Sequence, residues 1–102
     1  MNAVASLRTV EELRQHVLQL LCAHDRLDPL QTPLHEAVIM RAGRPCGLFF
    51  QVEGPRLLRT HAVWAGEEAR LFFYDSTGHR FAEVRLSDAP DPQQLGARRQ
   101  AA

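Results

Sequence analysis

Between Pro45 and Leu86 the chain breaks into short apolar and aromatic runs separated at close intervals by turn residues. CGLFFQVE is followed by GPR, LLRTHAVWA by GE, EARLFFY by DSTG, and HRFAEVRL closes the series. Runs of this length, bounded by Gly, Pro, Asp and Ser, are strand signals. Connections this short join antiparallel neighbours. The stretch therefore predicts a four-stranded β-meander, and everything else in the chain has to cover it.

Register follows from asking which turn lengths keep apolar residues on one face. A three-residue loop at Gly54-Pro55-Arg56 sets Val52, Phe50, Leu48 and Cys46 opposite Leu58, Thr60, Ala62 and Trp64. A two-residue turn at Gly66-Glu67, glycine first as type II′ requires, sets Trp64, Ala62 and Thr60 against Ala69, Leu71 and Phe73. A four-residue turn at Asp75-Ser76-Thr77-Gly78 sets Leu71 and Ala69 against Ala82 and Val84. The segment after Thr32-Pro33 could be a short helix capped there and stopping at Gly43, or Glu36 to Arg41 could be a strand turning through Ala42-Gly43-Arg44-Pro45 into the meander. The β-branched Val38 and Ile39 in so short a run favour a fifth strand, with Ala37 and Ile39 on the apolar face.

Ahead of the meander, Thr9 and Glu12 form a capping box. Val10, Leu13, Val17, Leu20 and Leu21 then recur at helical spacing, predicting an amphipathic helix from Thr9 to about His24. Residues 1–8 carry little pattern and are expected to fray. After Leu86 the prolines and polar residues of 87–102 predict a disordered, solvated tail. The expected fold is thus a single α+β domain over residues 9–86, an N-terminal helix on one face of an antiparallel meander of four or five strands. Five strands span about 20 Å and one helix covers about 10 Å. The sheet should therefore curl around the helix, or a second copy should cover the remainder. A helix gripped by a curled meander is similar to the cystatin-like arrangement, in architecture and not through any family motif.

Composition narrows the chemistry. With 102 residues, 45% of them apolar, the chain can bury one core without metal or disulfide support. The opening MNAVASLRTVEE lacks a basic start and an apolar run, which predicts a cytoplasmic protein, and no segment has the length to span a bilayer. Cys22 and Cys46 fall where a thiol packs as a small apolar side chain. All twelve basic residues are arginine, balanced by twelve acids, so lysine Schiff-base and phosphate-loop chemistry are excluded. The scattered arginines and zero net charge argue against nucleic acid as a partner.

No catalytic or cofactor signature stands out. Asp75-Ser76-Thr77-Gly78 has one residue too many for the Asp-Thr-Gly of aspartic proteases and reads as a type I turn. Cys22, His24, His35 and Cys46 match no zinc spacing, so no metal is expected. His16 reads as a solvated helix histidine.

The second face of the sheet is more informative. The register above places Phe49, His61, Phe72 and Phe81 in one row across it, with Gln51, Arg59, Tyr74 and His79 beside them. Arg70 faces Glu83 as a cross-strand ion pair. So many aromatics on one face imply that something covers it. The expected function is a small non-catalytic binding module, acting on a protein partner or a second copy through this face. The alternative is a small enzyme or small-molecule binder with Arg59, His61, Tyr74 and His79 around a shallow site. His61 would then be its acid–base group.

Overall fold

Thr9 starts the helix as its sequence predicts. Its hydroxyl accepts from the Glu12 amide at 3.1 Å while the Glu12 carboxylate accepts from the Thr9 amide at 3.0 Å. The computed structural model describes residues 2–55 and 58–95. Helix α1 (Val10–Asp25) ends at Arg26, which is left-handed at φ 57°, with the Leu27 amide donating to the Cys22 carbonyl at 2.8 Å. Val10, Leu13, Val17, Leu21 and Cys22 are buried, whereas Leu20, expected in the buried stripe, is only half-buried.

The sheet has six strands: β1 (Asn2–Ser6), β2 (His35–Arg41), β3 (Arg44–Glu53), β4 (Arg59–Ala65), β5 (Arg70–Tyr74) and β6 (Arg80–Asp88). Their spatial order is β1-β6-β5-β4-β3-β2, antiparallel except that β1 runs parallel to β6. The domain is therefore α+β with a mixed, unclosed sheet, not a purely antiparallel meander of four or five strands. The N-terminal residues expected to fray supply an edge strand. In its 16 residues α1 advances about 24 Å and, with the connector after it, carries the chain from one sheet edge to the other.

The core face of the central strands is as the alternation predicts, yet the three hairpins from β3 to β6 pair two residues away from the expected register. Val52 pairs with Thr60, Trp64 with Leu71, and Leu71 with Val84. These three loops are longer than expected. The Gly54 amide reaches the Leu58 carbonyl at 2.7 Å, and Gly66–Glu68 forms a 3-10 turn that ends at a left-handed Ala69 with φ 52°. Residue 56, expected in the first of these turns, lies outside the described residues.

Strand β2 is a genuine reversal of face. Ala42 and Gly43, at φ 52° and 78°, make a two-residue hairpin with both central residues at positive φ, as type I′ requires. A bulge then leaves Ile39 opposite Gly47 and Met40 opposite Pro45, with Cys46 as the extra residue. One inserted residue exchanges the faces. Val38 packs toward the core, and Ala37 and Ile39, expected there, stand opposite Phe49 and Gly47. The same geometry aims Glu36 at the helix, where Arg14 holds it through contacts of 2.8–3.0 Å.

Phe50, Trp64, Phe73, Leu71 and Leu48 fill the core beneath α1. Thr60, buried with them, donates its hydroxyl to the Asp25 carboxylate at the helix end. Leu7 and, from the segment after β6, Leu95 belong to the same buried core, and Pro90 is buried as well. The chain after Leu86 is thus no simple solvated tail. Ser87 and Asp88 complete β6, and Leu95 joins the core. Residues 96–102 of the expected tail lie outside the described residues. Among the described residues no helix is long and apolar enough to cross a membrane.

His16 is not the solvated histidine its position on the helix suggests. It is half-buried, its Nε2 has no partner among the described residues, and burial pushes its pKa below the usual value. The folded state therefore resists a proton that the unfolded chain accepts near pH 6.5. Stability should be complete above that pH and fall as the pH drops from there toward the lowered folded value. Urea midpoints at pH 7.5 and 5.5 should converge in His16→Gln relative to the parent. An equal acid loss in both would assign the effect to other groups.

Candidate functional site

The face of the sheet turned away from α1 is the candidate site. Alternation places Phe49, Gln51, His61, Val63, Phe72 and Tyr74 on it, each half-buried. The helix and the C-terminal segment both pack on the opposite face. Observed pairing gives one row running Ala37, Phe49, Val63, Phe72, Glu83 and a second running His35, Gln51, His61, Tyr74, Arg80. The His61 ring stacks on Tyr74 at 5.1 Å between centroids and tilts against Phe49 at 5.5 Å. Offset contacts of this kind hold rings in fixed positions rather than leaving them to rotate in water.

Of the residues singled out from sequence, Phe49, His61, Phe72 and Tyr74 are brought together. Phe81 is not. A bulge pairs Phe73 with Ala82 and Tyr74 with Arg80, so Phe81 is the extra residue and turns to the helix side. There it packs on the core and stacks on His24 at 3.8 Å with 13° between ring planes.

His79 lies in the turn before β6, its Nδ1 2.8 Å from the Thr77 hydroxyl. Asp75 organises that turn, accepting from the Thr77 amide at 3.0 Å, the Thr77 hydroxyl at 2.7 Å and the His79 amide at 2.9 Å. These bonds, the Thr77 hydroxyl foremost, hold its carboxyl below the usual range. Arg59 stands at the start of β4, 3.7 Å from Glu53. The four groups of the alternative small-molecule site thus divide between the stacked pair, a turn and a strand end.

Arg80 is the site residue the sequence reading did not find. Its guanidinium lies 4.5 Å from the centre of the Phe72 ring and 5.7 Å from that of Tyr74, a cation–π arrangement. Beside a turn it reads as an ordinary solvated charge, and only the Phe81 bulge brings it over the aromatics. Arg70 and Arg80 both reach Glu83, at 3.3 and 3.5 Å.

Other surface features are less developed. A cleft of about 440 Å³ is lined by Arg41, Arg44, Pro45, Cys46, Glu67 and Gln93, beside the β2–β3 hairpin. Cys46 and Cys22 are free thiols, and burial pushes the Cys22 pKa up. Among the described residues no three His, Cys, Asp or Glu side chains gather as metal ligands. Compared with protein families, curated proteins and solved structures, the chain matches none.

Proposed function

We propose that this chain is a small non-catalytic interaction module, working in the cytoplasm, that binds a protein partner through the open aromatic face. The observation that carries this reading is the packing of both covering elements, α1 and the C-terminal segment, on the other side of the sheet. Among the described residues, Phe49, Val63, Phe72 and Tyr74 are left without a layer above them. Half-buried aromatics with polar tips and a guanidinium among them have the composition of recognition surfaces. The two unbridged cysteines fit a reducing compartment.

The test uses the native protein and the apolar dye 8-anilinonaphthalene-1-sulfonate. The parent should bind the dye while folded, and Phe72→Ser should lose that binding with its thermal midpoint close to the parent's. Dye binding unchanged by Phe72→Ser would remove the face as the binding surface. Collapse of Phe72→Ser would place that ring in a core instead.

A further inference from the structure

We infer that the partner of this face is a protein segment that is apolar along one side and rich in carboxylates along the other. This rests on reading the face as an interaction surface and names the chemistry it would recognise. The face divides across the strands. Over β2, β3 and β4 its first row carries Ala37, Phe49 and Val63 with Ile39 alongside, while His35, Gln51 and His61 form the second row and the Arg59–Glu53 pair closes its end. Over β5 and β6 it carries Arg70, Arg80 and Arg85, with Glu83 as their shared acid. Phe72 and Tyr74 lie between the halves.

The arginine half is under-compensated. Arg70 and Arg85 stand directly opposite each other on β5 and β6, a like-charge pairing that costs stability in a sheet. Glu83 is already divided between Arg70 and Arg80, and exposed Arg85 has no acid partner among the described residues. Incoming carboxylates would relieve this repulsion at the moment the apolar half is covered. A second copy cannot do so over the whole face. A two-fold axis in the interface plane brings arginines either against arginines or against the half over β2–β4, whose carboxylate Glu53 already pairs with Arg59. A polyphosphate strand would meet unbalanced positive charge only over β5 and β6, in a chain whose basic and acidic residues balance.

Two synthetic amphipathic helical peptides with the same Leu/Phe stripe, one carrying Glu on its polar side and the other Lys, provide the test. A short oligothymidine is the third probe. Fluorescence anisotropy with the full chain should show the Glu peptide bound about fivefold or more tightly than the Lys peptide, less so at high salt. Arg85→Glu should erase or reverse that preference, and Arg85→Lys should keep it. Equal binding of the two peptides, no binding of either, tighter binding of oligothymidine, or a parent dimer broken by Phe72→Ser would each overturn the inference. If Phe72→Ser loses the dye while the peptides bind alike, the interaction surface stands and only its acidic preference falls. If Phe72→Ser unfolds, the interaction reading itself fails.

Discussion

Gly47→Ala should leave the protein unable to hold its sheet together. A β-carbon built on Gly47 overlaps the carbonyl oxygen of Trp64 and comes within 3.1 Å of its carbonyl carbon. Both atoms belong to the backbone of β4, so no side chain can rotate away to make room. Relief requires β3 and β4 to part where Leu48 pairs with Trp64, two residues with almost no exposed surface. Overpacking in a core that can shift costs about 1–3 kcal/mol. This site cannot shift without breaking strand pairing, so the loss should exceed about 3 kcal/mol. Against a total of about 5–15 kcal/mol for a domain, that leaves little or no folded protein in the weaker half of the range. Gly43→Ala is the control, since a β-carbon there meets nothing within 4 Å and only the positive φ of 78° opposes it. It should lose about 1–2 kcal/mol, the cost of a left-handed residue. Urea unfolding followed by Trp64 fluorescence separates the two. A Gly47→Ala midpoint equal to that of Gly43→Ala would contradict the close approach of the strands at this point.

Gly47 also shows where sequence pattern stops being informative. Alternation along LFFQV, THAVW and RLFFY assigns each residue to a face with period two. A register moved by two residues leaves every face unchanged. The pairing of Val52 with Thr60 rather than Leu58 was therefore invisible to the pattern, although both place Val52 in the core.

Bulges are the opposite case. Cys46 and Phe81 each add a single residue, and a single residue turns Ala37, Ile39 and Phe81 to the face opposite the expected one. Nothing local in LHEAVIMRAGRPCG or GHRFAE announces the extra residue. Strand β1 was hidden for another reason. Its parallel partner, β6, is some eighty residues away, and NAVAS has neither the length nor the flanking turns that mark a strand. Leu95 likewise is one leucine in a polar stretch, with no periodicity to assign it to a core. The aromatic site was legible to the extent that it depends on alternation, which covers Phe49, His61, Phe72 and Tyr74. Phe81, His79 and Arg80 depend on the bulge and the turn, and these are settled by pairing across strands.

Phe73→Ser should lose about 3–5 kcal/mol, the usual cost of emptying an aromatic core site, with a polar hydroxyl left among apolar neighbours. Phe73 has no exposed surface. It pairs with Ala62 and Ala82 across β4 and β6, and its ring meets Phe81 at 6.1 Å, beside the His24 stack that ties the helix end to the sheet. The two alanines are small, so neither strand offers a side chain that could fill the space Phe73 leaves. Nor can α1 drop into it. The helix is pinned at one end by Asp25 on Thr60 and near the other by Arg14 on Glu36, and both anchors would have to move together. The cavity should therefore persist and place the loss toward the upper end of the range. Phe72, the next residue along the strand, lies on the open face with Arg80 across its ring. Its loss to Ser removes one half-covered ring and one cation–π contact worth about 0.5–1 kcal/mol at an exposed site. Circular dichroism melts of the two neighbours should therefore differ widely, with Phe73→Ser at or below the threshold for folding and Phe72→Ser close to the parent. Two melts that coincide would mean that the sheet buries both of its faces and that a layer covers the aromatic side after all.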